Sequence, residues 1–411
     1  ADPLLADVAA RNLRLLPGSP CLNTGTNQPG MAGAFDPDGH DRILYGTVDI
    51  GAHEFQTNGL ACSATADVTE GFPGFCSVLA AAVAGTNTAG LYYSWDFDDN
   101  GTVDQGGLGL SVVTNCWSAY GTHAFSLTVS NASGSATYTK TNAFRVGPET
   151  LYVAIGAGHV FPYTNWADAA TGVQAAASAG VNGSLVWISN GVHQIAQRIE
   201  VDSSLTLRGF GGASNVAINA QGLSGVIALN ASNAVLDDLV VWNGWTTRGA
   251  GVYAVNGGTL RNCLVVSNSA TDFGGGVYGA GLTISNCVFL GNARAGGGYG
   301  GGAYCSGGVI LNSAFAGNSA GYGAGLYAYR VGVSACTFDH NTASVSGGGV
   351  YGAATTASVC RFTANTASGS GAGAYWYGGG SVSGSVFLAN TAGGSAGGLY
   401  MDQTGAVRNC E

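Results

Sequence analysis

Apolar and polar positions alternate over short stretches along most of the chain. In LTISNCVFLGN, Leu282 and Ile284 alternate with polar neighbours, Ser285-Asn286 breaks the phase, and Cys287 and Phe289 resume it. Period-two alternation puts one side of a strand against a core, and each break in phase marks a bend. The pattern predicts short strands joined by tight turns, with glycine at bends because it tolerates positive φ. Apolar residues fall at helical spacing in TNWADAATGVQAAASA, which predicts a helix over 166–179. Strands are predicted on either side, at 151–155 and 185–189.

From residue 238 onward the alternation repeats. One block ends in Asn, five residues after a Cys or Ser: CLVVSN, CVFLGN, SAFAGN, CTFDHN, CRFTAN and SVFLAN. These blocks place Asn268, Asn292, Asn318, Asn341, Asn365 and Asn390 at spacings of 24, 26, 23, 24 and 25. An earlier copy, DLVVWN, ends at Asn243. A second block is glycine-rich and ends in Tyr253, Tyr278, Tyr304, Tyr327, Tyr351, Tyr375 and Tyr400. Short strands at this period predict an all-β fold in which each repeat is one coil of a right-handed parallel β-helix. A leucine-rich repeat has a similar period but needs a leucine lattice that this chain lacks. Stacked coils lie about 4.8 Å apart, so Asn should hydrogen-bond to Asn along a column. Tyr should either stack along its column or form an outward strip. The Cys/Ser column should lie inside a narrow lumen. Residues 238–411 are thus the regular coils, and 151–237 the first coils with a helical cap over their open strand edges.

Composition narrows the class. The chain has 411 residues, 70 of them Gly, with 9% charged and a net charge of −10; Lys140 is its single lysine. That charge excludes a nucleic-acid binder. High apolar content excludes a disordered chain, and no apolar run is long enough for a membrane span.

The repeats resemble those of chlamydial polymorphic outer-membrane proteins, which pair GGx blocks with FxxN blocks, here at Phe289, Phe315, Phe338, Phe362 and Phe387 with their Asn partners. Residues 60–147 differ, with less clustered glycine. There WDF at Trp95-Asp96-Phe97, then Tyr120-Gly121-Thr122 and a strand at 125–130, resemble the polycystic-kidney-disease (PKD) β-sandwich, which implies an Ig-like fold and an extracellular spacer or adhesion role. Within it, Asp96, Asp98, Asn100 and Asp104 have the spacing of a Ca²⁺ loop, with Gly101 at the turn. The bidentate Glu of an EF-hand would fall at Gly107. The competing expectation is an Asx-rich hairpin with Trp95 and Phe97 in the core. Of ten cysteines none forms a CxxC pair. One disulfide is expected among Cys62, Cys76 and Cys116, with Cys76–Cys116 preferred.

Residues 1–56 resemble the closing segment of bacterial surface β-helix proteins through Leu15-Leu16-Pro17-Gly18-Ser19-Pro20 and through Val48-Asp49-Ile50-Gly51-Ala52 with Glu54. That segment would normally follow the last coil. Its place here predicts end-to-end assembly, with residues 1–56 of one unit on the coils near 380–411 of the next, in a separate copy or a tandem chain. Coil-on-coil contacts are heterologous and propagate as a filament.

A catalytic face is not expected. Asp237-Asp238 is the one paired acid in the coils, with Asp238 aligned to Cys263, and the other charges share no lattice position except Arg261 and Arg408. The expected function is therefore an extracellular structural protein, not an enzyme, without a cofactor other than Ca²⁺, whose main partner is itself. A surface adhesin or glycan-binding stalk is the alternative.

Overall fold

A computed structural model describes the chain except residues 1–2, 4, 8–11, 16–18, 38–40, 44–46, 55–59, 86–87, 133 and 404. Leu16, Pro17 and Gly18 of the N-terminal motif therefore lie outside the described residues. The chain divides into two compact units, one formed mainly of residues up to 145 and the other mainly of residues 146–411.

The second unit is a solenoid of parallel strands. Its strands stack into three sheets, one of which runs through nine coils from Gly191–Gln194 to Val386–Leu388. Register is held coil by coil: Phe289 pairs with Phe315, Phe315 with Phe338, Phe338 with Phe362 and Phe362 with Phe387. Those rings stack at 4.4–5.0 Å, with planes 2–10° apart. Inward positions alternate as the sequence pattern requires: along Val277–Ser285, Val277, Gly279, Leu282 and Ile284 are buried. The lumen column of Cys263, Cys287, Ser313, Cys336, Cys360 and Ser385 is buried too. Burial pushes the Cys336 thiol up to about 12, so it packs as a small apolar group rather than a reactive thiolate.

Both glycines of the GxG-apolar-Tyr block are closely packed, and the first also needs its backbone angle. The first, at Gly249, Gly274, Gly300, Gly323, Gly347 and Gly371, turns through the left-handed region with φ of 58–72°. Neither glycine has room for a side chain: a Cβ on Gly347 would lie 2.6 Å from the Val350 carbonyl oxygen. A Cβ on Gly349 would lie 2.5 Å from the Gly373 carbonyl oxygen and 3.1 Å from both Phe338 and Phe362.

The predicted helix at 166–179 is shorter in the structure. It spans Val173–Ala179 and buries Val173, Ala176 and Ala177 over the first coil. The residues before it are claimed by the first strand, since Ala170 N–H donates to Tyr152 O and Ala154 N–H to Ala170 O, both at 2.9 Å. Asn165 and Asp168 close a side-chain turn there, and Gly172 is extended.

The first unit contains a β-sandwich. Ala61–Ala66, Phe75–Ala84 and Val112–Trp117 form one antiparallel sheet. Tyr92–Asp96 joins Gln105–Leu108 and Gly121–Asn131 in the other. Trp95, Phe125, Leu127 and Phe144 fill the core, and Trp117 stacks on Phe144 at 3.9 Å. The indole N–H groups of Trp95 and Trp117 donate to Leu110 O and Phe97 O, which satisfies both buried donors. In the N-terminal segment, Leu5–Asp7 and Asn12–Leu15 pair antiparallel, unlike the parallel coils. Asp36, Asp49 and Glu54 are buried there and accept the backbone N–H groups of Glu54, Asn23 and Asp49 respectively.

Candidate functional site

Three arrangements of polar or aromatic side chains follow from this fold. The first is the Asn column, buried from Asn268 to Asn365. At each step the backbone N–H and the side-chain Nδ2 of one Asn both donate to Oδ1 of the next, from Asn268→Asn292 through Asn365→Asn390, at 2.9–3.1 Å. Each Nδ2 also donates to a carbonyl of the preceding coil, such as Phe315 O for Asn341. The side chains thus satisfy buried backbone groups at a corner where strand pairing is interrupted. Asn243 is not in this column. Val240 pairs with Leu264 and Trp242 with Val266, so Asn243 matches Ser267 in a left-handed corner, and Gly244 N–H donates to Asn268 Oδ1. The same one-residue slip aligns Asp238 with Asn262, and Leu239 takes the inward place next to Cys263. The DLVVWN copy has the same length as CLVVSN but a different phase, which composition alone cannot distinguish.

The second is the Tyr column, half-buried on the outer side. Successive rings from Tyr253 to Tyr400 lie 4.7–5.7 Å apart with planes 3–24° from parallel. Phe273, Tyr299 and Tyr322 form a parallel stack beside it. Ring faces are covered by neighbouring rings, so edges and hydroxyls are what the column offers outward. Burial pushes Tyr327 up to about 12, and its hydroxyl remains a donor across the physiological range.

The third is the acidic loop. Carboxylates of Asp96, Asp98 and Asp104 lie within 4.8 Å of one another, and Asn100 sits beside them. Asp96, buried, accepts N–H from Gly101 at 2.7 Å, Asn100 at 3.2 Å and Asp98 at 3.4 Å. Asp104 accepts from Phe97 N–H at 2.7 Å, and Asn100 donates to Asp98. Burial of Asp96 opposes ionisation, but the N–H groups of Gly101 and Asn100 outweigh it and hold the carboxyl below its usual range. Carboxylate oxygens of Asp96 and Asp104 thus accept backbone N–H groups, as in an Asx hairpin. Ionised Asp96 adds stability that is present above about pH 4 and is lost as pH falls through its lower folded value. Asp96→Ala should lower sandwich stability by about 1–3 kcal/mol through orphaned N–H groups. Thermal melts should give the same loss in EDTA and in millimolar CaCl₂; a Ca²⁺-dependent midpoint in the parent chain would assign the loop to metal instead.

Cys76 and Cys116, direct neighbours across two strands, form a disulfide, and Cys62 is free. The Asp237-Asp238 pair serves as a clamp. Asp237, buried on the solenoid wall, contacts Arg261 at 2.9 Å and Arg208 at 3.2 Å and accepts from Asn262. Arg208 also reaches Asp238 and lies over Trp187. Sequence inspection missed Arg208, whose only signal was its place between two acids and a tryptophan on neighbouring coils.

Residues 224–392 match the family model for a right-handed β-helix region, and residues 71–144 match that for a PKD domain. The chain carries a right-handed β-helix region and a PKD domain. Both are typical of extracellular or cell-surface proteins. Comparison with curated proteins finds no match. Among solved structures, a pectin methylesterase from Aspergillus niger aligns at TM-score 0.30 and 11% identity over 64% of this chain and 85% of that one. A likeness that low carries no argument about function. Among the described residues, no helix is long and apolar enough to cross a membrane.

Proposed function

We propose that the chain is a structural element of the cell exterior, in which the β-helix is a rigid stalk, the PKD domain is a spacer, and units join end to end. The observation that supports this reading is the Asn column: polar side chains that could face a substrate instead bind one coil to the next. In-register parallel coils also make each coil a template for another with the same columns, so end-to-end joining requires no new chemistry. The likeness of the GGx and FxxN blocks to chlamydial surface proteins fits the same setting. Residues 1–56 of one unit would contact the coils near 380–411 of the next. Sedimentation velocity tests this contact. The full chain should form a concentration-dependent series of larger species, and a variant lacking residues 1–56 should remain at monomer size. Equal assembly by both would refute the contact.

A further inference from the structure

We propose that a cleft on the outer surface of the early coils, running from Trp245 to Tyr253, binds a neutral oligosaccharide. Two adjoining hollows of about 510 and 490 Å³ share Arg198, Thr246 and Thr247. Each volume lies in the range of small-molecule sites, about 300–1,000 Å³.

Trp245 is 54% exposed, and no ring among the described residues stacks on it. It thereby differs from the Tyr column, whose faces are occupied by neighbouring rings. Its free indole face suits the C–H face of a sugar ring. At the other end of the cleft, the Arg198 guanidinium covers Tyr253 at 5.5 Å.

Hydrogen-bonding groups line the space between. Arg198 pairs with Glu200 at 2.8 Å and Arg248 with Asp272 at 2.9 Å. Asn230 also donates to Glu200, and Arg248 lies over Phe273 and Tyr278. These contacts hold the charged heads in fixed directions while leaving carboxylate lone pairs and guanidinium N–H groups for sugar hydroxyls. Register slips beside the cleft: Thr246 pairs with Ala270 and Arg248 with Phe273, so Thr271-Asp272 carries one extra residue. A bulge of this kind re-aims side chains, here Thr271 and Asp272, towards the cleft.

Charge selects the class of sugar. Two guanidinium groups face two carboxylates, so the local sum is zero. An anionic uronate or phosphate would meet Glu200 and Asp272 without a cation left over, at a cost in desolvation. A neutral pyranose chain meets no such penalty.

The test is intrinsic fluorescence and calorimetric titration of the full chain with β-linked tetraoses of glucose, xylose, mannose and N-acetylglucosamine, and with tetragalacturonate as the anionic comparison. At least one neutral tetraose should bind more tightly than tetragalacturonate. Trp245→Ala should weaken that binding roughly tenfold, the loss expected on truncating an aromatic anchor. Glu200→Gln, which keeps the side-chain shape, should also weaken it, whereas Tyr375→Ala in the stacked column should not. Circular dichroism identical to the parent confirms that each variant is folded. Failure of every neutral tetraose to bind, preference for the uronate, or unchanged affinity in folded Trp245→Ala would each overturn the proposal. None of these outcomes bears on end-to-end assembly, because the cleft is separate from the residues proposed to join units.

Discussion

Asn341→Ala is expected to lower the stability of the β-helix by about 3–6 kcal/mol, because it orphans several buried polar groups at once. Oδ1 of Asn341 accepts both N–H and Nδ2 of Asn318, and its Nδ2 donates to Phe315 O and to Asn365 Oδ1. All these groups are buried, and water cannot replace the lost partners without opening the wall. In a solenoid each coil is stabilised chiefly by its neighbours, so the damage should extend to adjacent coils. Asn243→Ala is the informative comparison. Asn243 occupies a left-handed corner outside the column, and Ala364 and Ala389 occupy the matching corner in later coils. Its substitution should cost about 1 kcal/mol or less, from backbone preference alone. Urea unfolding followed by circular dichroism measures both. Equal losses would contradict the one-residue slip and the load assigned to the column.

Gly349→Ala should have the second large effect, about 3 kcal/mol. Its Cβ would approach the Gly373 carbonyl oxygen to 2.5 Å and press on Phe338 and Phe362. Backbone oxygen and stacked rings cannot move aside cheaply, so the coils must separate locally, at the upper end of what overpacking usually costs. Gly347→Ala, two residues earlier, should cost a similar amount, about 3 kcal/mol, since its Cβ would meet the Val350 carbonyl oxygen at 2.6 Å and Tyr351 Cβ at 2.9 Å in addition to left-handed strain. The same unfolding experiment measures the two variants. A loss below about 1 kcal/mol for either variant would contradict close packing as the reason for this glycine block.

The β-helix was legible because its strongest columns repeat without exception. Asn268 to Asn390 and Tyr253 to Tyr400 recur with nearly constant spacing, and stacking in register converts spacing directly into contact. The PKD sandwich was legible through Trp95-Asp96-Phe97, whose buried indole and ring need that local frame. Other features depended on phase or direction, which spacing does not encode. Asn243 has the right distance from Asn268 but the wrong phase, because Leu239 rather than Asp238 turns inward. Apolar spacing predicted a helix from Trp166, yet the first strand captures the backbone at Ala170 before the helix can start. The Tyr column was visible, but whether its rings faced outward or onto each other depended on side-chain orientation. Trp245, Glu200 and Asp272 come from separate coils with no shared repeat position, so only the folded solenoid brings them to one cleft.

Joining of coils between units is the central functional claim, and direct imaging tests it. Negative-stain electron microscopy of the purified full chain should show unbranched filaments of uniform width that lengthen as concentration rises. Dispersed single particles at every concentration would contradict the claim.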